Sequence, residues 1–452
     1  MGSVCNVFLF DNKTKIIKIC EDSENTQTEY DLLQFLQEKG FNTPTLIDKG
    51  DNYIIMEYIV DNCDDSEHRT TLLFKELNKL HSIRDKSFGF DKSIFCGKLK
   101  VPNDRVDKWS ILFKNRWKTM LDHLLSKDVT FYNTYCYAMR VYDVMEELLD
   151  RYDVYPSLLH GDINPRNFLI RDNKVYLIDP VCFYGDREYD IACYDIWSNY
   201  NKKSITSDKK TLYYAFILLL SYSLVPNEKR MSRAKEYMKR VLASCKKCYP
   251  SSIYKINTIT DKYKYIIIMC GCFNPVHKNH TDAMILGKNH MQRMMDACDG
   301  DILCVFALAN DENVFKKESK HNIHMYHRRE MLKLALESLH FINVCIDTSC
   351  LYYADLIQHY GNIYPAVKDI FICCGTDAIH YPLDKTAYPT KILVIKRNNY
   401  KTPKELLYNP RVILVDNPSP ITLSSTAMKY DIEKYREYME DVVYEYYNKL
   451  FQ

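Results

Sequence analysis

The sequence of 452 residues predicts two domains, a bilobal α+β domain over residues 1–258 and a doubly wound α/β domain over 259–452. Three observations carry this. At roughly 100–200 residues per domain, the length accommodates two to four independent cores. Residues 1–60 read as short strands and are followed by long stretches of helical period, so a strand-rich lobe precedes a helical one. After the aperiodic stretch Tyr249–Lys262, continuous apolar runs alternate with helical patterns, the signature of a parallel sheet covered on both faces.

Taken in order, Val7–Phe10 and Lys15–Ile19 flank the turn residues Asp11 and Asn12 and predict a hairpin. Thr28–Lys39 places Leu32, Phe35 and Leu36 on one helical face, and Gly40 stops that helix. Tyr53–Ile59 reads as a strand. Helical period covers Thr71–Ser82, Trp109–Leu125 and Tyr132–Tyr152. Leu158–Ile170 and Lys174–Pro180 read as strand, loop and strand, and helices are expected near 188–200, 208–225 and 227–248. Pro250, Ser251 and Ser252 mark the domain boundary. Beyond it, strands are expected at Tyr265–Cys270, Ile302–Leu308, Ile342–Ile346, Ile370–Cys374, Lys391–Ile395 and Val412–Val415.

Apolar residues make up 46% and charged residues 27%, which excludes a disordered, collagen-like or disulfide mini-protein. Lys+Arg is 61 against Asp+Glu 59, so no global basic field attracts nucleic acid. The apolar run Tyr213–Val225 is too short to span a bilayer and reads as a buried helix, so no membrane partner is expected. The N-terminus lacks the pattern of a signal peptide, and the 17 cysteines have no regular spacing. Both point to a reducing, cytoplasmic location with free thiols. Cys245 and Cys248 lack a second pair and are not read as a zinc site.

His160-Gly161-Asp162 with Asn167, followed by Ile178-Asp179-Pro180, forms the first chemical constellation. Phosphoryl transfer needs a carboxylate to take the hydroxyl proton, and a carboxylate with an amide oxygen to hold Mg²⁺. Asp162 suits the first role, and Asn167 with Asp179 the second. Lys18, in an apolar strand, and Glu29, on the next helix, suit the Lys–Glu pair that positions ATP phosphates. His160–Pro180 resembles the aminoglycoside phosphotransferase and choline kinase superfamily. The run Gly185–Ala192 looks especially like its streptomycin- and hydroxyurea-phosphorylating branch. The resemblance covers residues 1–255 and includes Tyr53–Ile59 and Leu77–Ser82. It implies a protein-kinase-like bilobal fold, Asp162 as catalytic base, Asn167 and Asp179 as Mg²⁺ ligands, and ATP as co-substrate. The chain departs from the family pattern in having only Gly2 near the phosphate-covering hairpin.

The second constellation follows the strand ending at Met269. Gly271 allows a backbone to approach phosphates, and His277 and His280 lie at i and i+3 where a helix begins. The imidazoles can donate to charge building on an α-phosphate. Ser424, Ser425, Thr426 and Lys429 place hydroxyls and a cation at another helix start. Residues 263–452 resemble nicotinamide/nicotinate mononucleotide adenylyltransferase, particularly the eukaryotic type. The likeness rests on 271–280, 307–317, His327–Met331, 374–378, Lys396-Arg397, 423–429 and the terminal helix. It implies a Rossmann-like fold with His277 and His280 on the ATP phosphates, and Phe273 in the same nucleotide-binding motif. Asn310 and Lys317 would lie at the ATP or mononucleotide phosphate, and Gly375 and Asp377 at the adenosine ribose. Arg397, Ser424, Ser425 and Thr426 would line the adenine and triphosphate end. Lys429 stands where the family has Arg, and the aromatic that stacks on the nicotinamide ring in the family is not identifiable, with Tyr381 or Tyr388 as candidate substitutes.

Together the resemblances imply a bifunctional enzyme of NAD salvage. A kinase would act on a small hydroxylated molecule such as nicotinamide riboside, and an adenylyltransferase would act on the mononucleotide. Two alternatives stay open: a choline or ethanolamine kinase joined to a cytidylyltransferase, and an adenylyltransferase with a non-catalytic kinase-like module. Expected partners are small molecules, with homo-oligomerisation left open.

Overall fold

The computed structural model describes residues 5–92, 94–97, 99–198, 207–245, 250–316, 322–380, 390–397, 400, 402–418, 428 and 431–451. The chain divides into two compact units. The first comprises Met1–Lys127 and Val144–Cys245, the second Asp128–Asp143 and Lys246–Gln452.

The first unit begins with an antiparallel sheet. Strands β1 (Cys5–Phe10), β2 (Lys15–Cys20), β3 (Leu46–Lys49) and β4 (Tyr53–Glu57) stand in the order β1-β2-β4-β3. The loop between β1 and β2 holds Asp11, Asn12 and Lys13 at positive φ. That register sets Cys5 opposite Cys20, and the two form a disulfide. The expectation that all thiols stay free is therefore corrected at this pair, because hairpin pairing brings together two cysteines 15 residues apart. Helix α1 (Ser23–Glu38) starts earlier than its apolar period shows, since the Asp22 side chain accepts from Asn25 N–H and caps a polar first turn. It buries Leu32, Leu33 and Leu36 and ends before Gly40, at φ +84°.

The remainder of this unit contains α2 (Ser66–Ser82), the hairpin β5 (Ile94–Cys96) and β6 (Leu99–Val101), and α3 (Trp109–Lys127). The next helix, α4 (Tyr132–Leu149), changes unit at Asp143. Then come β7 (Ser157–Leu159), β8 (Phe168–Arg171), β9 (Lys174–Leu177), β10 (Phe183–Gly185), α5 (Arg187–Trp197), α6 (Asp208–Leu224) and α7 (Glu228–Ala243). Trp109, Phe113, Tyr189, Tyr213 and Phe216 are all buried and pack ring to ring. Trp109 Nε1 donates to Tyr213 Oη at 2.7 Å, and Tyr213 Oη donates to Asp186 Oδ2 at 2.7 Å, so the polar tips of Trp109 and Tyr213 are satisfied.

The second unit is organised on one seven-stranded sheet. Its elements are β11 (Ile253–Ile256), β12 (Tyr265–Gly271), α8 (Lys278–Met295), β13 (Ile302–Leu308), α9 (Asp311–Phe315), α10 (Met325–Ser338), β14 (Val344–Asp347), α11 (Tyr353–Ile363), β15 (Asp369–Gly375), β16 (Ile392–Ile395), α12 (Lys404–Leu407), β17 (Val412–Val415) and α13 (Asp441–Phe451). The order β14-β13-β12-β15-β16-β17 is parallel throughout. Chain order thus reverses beside β12, which places a crevice at the C-terminal ends of β12 and β15. The central strands are buried on both faces, β13 without interruption, which is why they read as continuous apolar runs. The aperiodic stretch expected to separate the domains contributes β11, paired antiparallel to β14 at the sheet edge.

Within this unit, Asp128–Asp143 packs on residues far along the chain. Tyr132 Oη accepts from Arg329 Nη1 at 2.7 Å, Arg140 Nη1 donates to Ser349 O at 3.1 Å, and Asp143 Oδ2 accepts from Ser251 Oγ at 2.8 Å. Among the described residues, no helix is long and apolar enough to cross a membrane.

Candidate active sites

In the first unit, β2 and α1 present Lys18 and Glu29 to each other at 2.7 Å, and Lys18 Nζ also lies 2.7 Å from Asp179 Oδ1. Burial would lower the ammonium, but Glu29 and Asp179 override it and hold Lys18 protonated above its ordinary value. Burial pushes Glu29 up to about 7 against the pull of Lys18. Burial also acts to raise Asp179, but Lys18 outweighs it and leaves that carboxyl lowered. Asp179 follows β9 in the left-handed region, at φ +51°, a costly backbone for a side chain with a Cβ.

Asp162 lies in the loop between β7 and β8. Its Oδ2 accepts from Asn167 Nδ2 at 2.9 Å, and its carbonyl accepts from the same amide nitrogen at 2.8 Å. Burial, then the charge of Asp179, pushes Asp162 up to about 7. Asp162 as a residue is exposed, and solvent tempers that rise. A carboxylate poised near neutrality suits a general base. With its amide nitrogen committed to Asp162, Asn167 keeps its amide oxygen as an acceptor. Asn167 and Asp179 thus offer two hard oxygen donors, a set that fits Mg²⁺ completed by phosphate oxygens and water.

A buried carboxylate holds this loop in place. Asp190, on α5 and fully buried, accepts from the backbone N–H of His160 at 2.8 Å and of Gly161 at 2.9 Å. His81 Nε2 lies 3.0 Å from the same carboxylate. His160 Nε2 reaches Ile178 O at 3.0 Å, which ties the Asp162 loop to the strand leading to Asp179. Gly161 sits at φ +84°, and a Cβ there would lie 2.2 Å from Val181 O. Asp190 and His81 were not expected as site residues. Their signal in the sequence was two polar positions on otherwise apolar helix faces.

In the second unit the crevice end of β12 carries Gly271, where a Cβ would lie 2.8 Å from the Phe273 ring. Phe273 packs edge-on against His280, with ring centroids 5.0 Å apart. His277 stands at the N-cap position of α8 without a side-chain cap bond, and its ring centroid is 3.8 Å from that of His280. His280 Nδ1 faces the His277 N–H at 3.3 Å, so that nitrogen accepts and Nε2 is left to donate. His277 is 3% exposed, yet neither ring nitrogen has a hydrogen-bond partner among the described residues. Burial, then Arg397, lowers His280 to about 3; burial, then His280 and Arg397, lowers His277 well below its ordinary value. The pair is therefore neutral, at the N-terminus of an 18-residue helix and within electrostatic reach of Arg397. Unpaired imidazole nitrogens, a helix N-terminus and a guanidinium together suit an anion such as a phosphate.

Arg397 follows β16. Its Nε lies 3.1 Å from Asp377 Oδ1, and a Cβ on Gly375 would lie 2.6 Å from that oxygen. Gly271, Phe273, His277, His280, Gly375, Asp377 and Arg397 thus collect at the C-terminal ends of β12, β15 and β16. Asn310 lies after β13, and its side chain is spent capping α9 through Asn313 N–H at 2.8 Å. Lys317, Ser424, Ser425, Thr426 and Lys429, with Tyr381, Tyr388 and Cys248, lie outside the described residues.

Comparison with known proteins matches residues 11–243 to the fructosamine kinase family and residues 268–430 to the cytidylyltransferase-like family. A probable ketoamine kinase of Vibrio parahaemolyticus is 30% identical over 156 residues, covering 34% of this chain and 52% of the relative. The chain therefore spans about half the length of such curated relatives. A Haemophilus somnus protein provisionally assigned as a fructosamine-3-kinase is similar in structure at 23% identity and a TM-score of 0.45, covering 54% of this chain and 89% of that one. Plasmodium falciparum nicotinic acid mononucleotide adenylyltransferase is similar at 15% identity and a TM-score of 0.33, covering 42% of this chain and 96% of that one.

Proposed function

The chain belongs to the fructosamine kinase family through residues 11–243, and from that premise we propose that it is a bifunctional enzyme. Its first domain transfers a phosphoryl group from ATP to a hydroxyl of a small sugar-bearing molecule. Its second, cytidylyltransferase-like domain transfers AMP from ATP to nicotinamide or nicotinate mononucleotide, giving a dinucleotide and pyrophosphate. The observation that carries the proposal is the assembly of Lys18, Glu29 and Asp179 within salt-bridge distance, with Asp162 bonded to Asn167.

In the first site Asp162 orients the acceptor hydroxyl and takes its proton, while Lys18, held by Glu29, faces the nucleotide phosphates. Mg²⁺, held by Asn167 and Asp179, would neutralise charge on the transferring phosphoryl group. In the second site no protein nucleophile is needed. The acceptor phosphate attacks the α-phosphorus in line while His277, His280 and Arg397 stabilise the developing charge. Nicotinamide riboside is the kinase substrate that would join the two reactions, since its phosphorylation yields the second domain's acceptor. The family match supports a ketoamine as the competing kinase substrate.

The test incubates the purified full chain with ATP and Mg²⁺ and, in separate tubes, nicotinamide riboside, nicotinamide mononucleotide or a fructosamine, with products read by mass spectrometry. NAD from both riboside and mononucleotide supports the whole proposal. NAD from mononucleotide alone, with a phosphorylated fructosamine, keeps both chemistries and rejects the riboside. NAD from neither, with product formed when CTP replaces ATP and a phosphorylated amino alcohol is the acceptor, overturns the adenylyl reading.

A further inference from the structure

Arg328, on α10, is completely buried. Its guanidinium donates from Nε to Ile323 O at 3.0 Å, from Nη1 to Cys272 O at 2.7 Å, and from Nη2 to Ala309 O at 2.7 Å and Asp311 Oδ1 at 2.8 Å. These partners come from three segments: the loop after β12, the loop after β13, and the stretch entering α10. Asn274, in the first loop, reinforces the join by accepting from Ile323 N–H at 3.3 Å. His324 adds a contact to Asp311 Oδ2 at 3.3 Å.

A buried guanidinium is costly unless each side of its fork finds an acceptor, and most acceptors here are loop carbonyls. Two of those carbonyls, of Cys272 and Ala309, stand just past the paired ends of β12 and β13, neighbouring strands whose axes lie about 4.8 Å apart. There Ala309 N–H still reaches Gly271 O at 2.9 Å, and beyond that bond the guanidinium is what joins the two loops. The first loop leads from Gly271 through Phe273 to His277. The second leads to Asn310. We propose that Arg328 is a positioning residue of the second site. It fixes the separation of these two loops, and so the alignment of the acceptor phosphate on the nucleotide α-phosphorus. The inference rests on the nucleotidyl-transfer reading above. In-line displacement tolerates little misplacement, and an error of about 1 Å costs on the order of 10²-fold in rate. Lysine carries the charge without the fork and cannot bridge three segments at once.

The test compares the full chain with its Arg328→Lys variant by hydrogen exchange and by pyrophosphate release from ATP and nicotinamide mononucleotide. The expected result is faster exchange confined to the amides of 271–276 and 309–313, with β12 and β13 unchanged. Alongside it, KM for the mononucleotide rises, and kcat/KM falls by roughly 10²-fold. Unchanged exchange in both loops overturns the inference. So does a lower kcat at unchanged KM with exchange raised along both strands, which marks a merely structural residue. If the lysine variant does not fold, Asp311→Ala serves: it removes one partner and should loosen 309–313 alone, and unaltered exchange there overturns the inference. A wild-type chain that releases no pyrophosphate sinks the nucleotidyl-transfer reading, while the exchange result still decides whether Arg328 fastens the loops.

Discussion

Lys18 Nζ lies 2.7 Å from Asp179 Oδ1, although 161 positions separate the two residues in sequence. The same ammonium lies 2.7 Å from Glu29. One cation thus answers two carboxylates, one from the helix that follows its own strand and one from the loop after β9, and under the proposed phosphoryl transfer a nucleotide phosphate would enter that balance as a third anion.

Replacing Lys18 with Met should leave two carboxylates facing each other without their shared counter-ion. ATP-dependent phosphorylation is expected to fall by on the order of 10²-fold or more, with a raised KM for ATP. Pyrophosphate release by the second domain should stay at the wild-type rate, which checks that the chain is folded. Steady-state kinetics of both reactions measure this.

Asp162 should impose an acidic limb on the kinase reaction. Its carboxyl is pushed up to about 7 and must be ionised to accept a proton. Phosphorylation should therefore rise with pH through about 7 and then level off. Asp162→Asn should abolish the limb and lower the rate by roughly 10²–10⁴-fold. A flat profile from pH 5.5 to 8.5 in the wild type would remove Asp162 from the role of base.

The histidine pair should make the folded state acid-sensitive. His280 is lowered to about 3 and His277 lies well below its ordinary value, so the unfolded chain binds more protons than the folded one once pH falls below about 6.5. Their contribution to stability is fully present above that pH and is lost as pH falls toward the folded values. Each imidazole can contribute at most about 1.4 kcal/mol per pH unit. Thermal melts from pH 7.5 to 5 should show a steeper loss for the wild type than for His280→Asn, and equal slopes would contradict the assignment.

Gly161→Ala combines a left-handed backbone with a Cβ placed 2.2 Å from Val181 O. Backbone must move, and the loop that carries Asp162 moves with it. A cost of at least about 1 kcal/mol from conformation alone should lower the melting temperature by a few degrees, with a larger loss of phosphorylation. Calorimetry and kinase assay together distinguish this from simple unfolding.

Residues that act through local pattern were legible. The apolar runs of β13 and β16 announce buried strands, and Gly40 announces a helix end, because both signals are carried by neighbours in sequence. β11 escaped because four residues at a sheet edge, with only Ile256 fully buried, carry no period that rises above a loop. Arg328 and Asp190 were present in recognisable stretches, but their roles depend on carbonyls and N–H groups of distant loops, which side-chain identity does not encode. The bond between Cys5 and Cys20 follows from counting across a four-residue loop, Asp11 to Thr14; an argument from cellular compartment spoke against it, and hairpin register decided it.

The second unit takes sixteen of its residues, Asp128–Asp143, from the middle of the first. The two domains are therefore inherited as one piece. A recombination joint placed between Cys245 and Lys246 would separate the kinase-like domain from the nucleotidyltransferase-like one on paper. The transplanted half would still leave behind Tyr132, Arg140 and Asp143, the partners of Arg329, Ser349 and Ser251. Either half passed to another gene has to bring a remnant of the other with it or evolve a substitute for that segment.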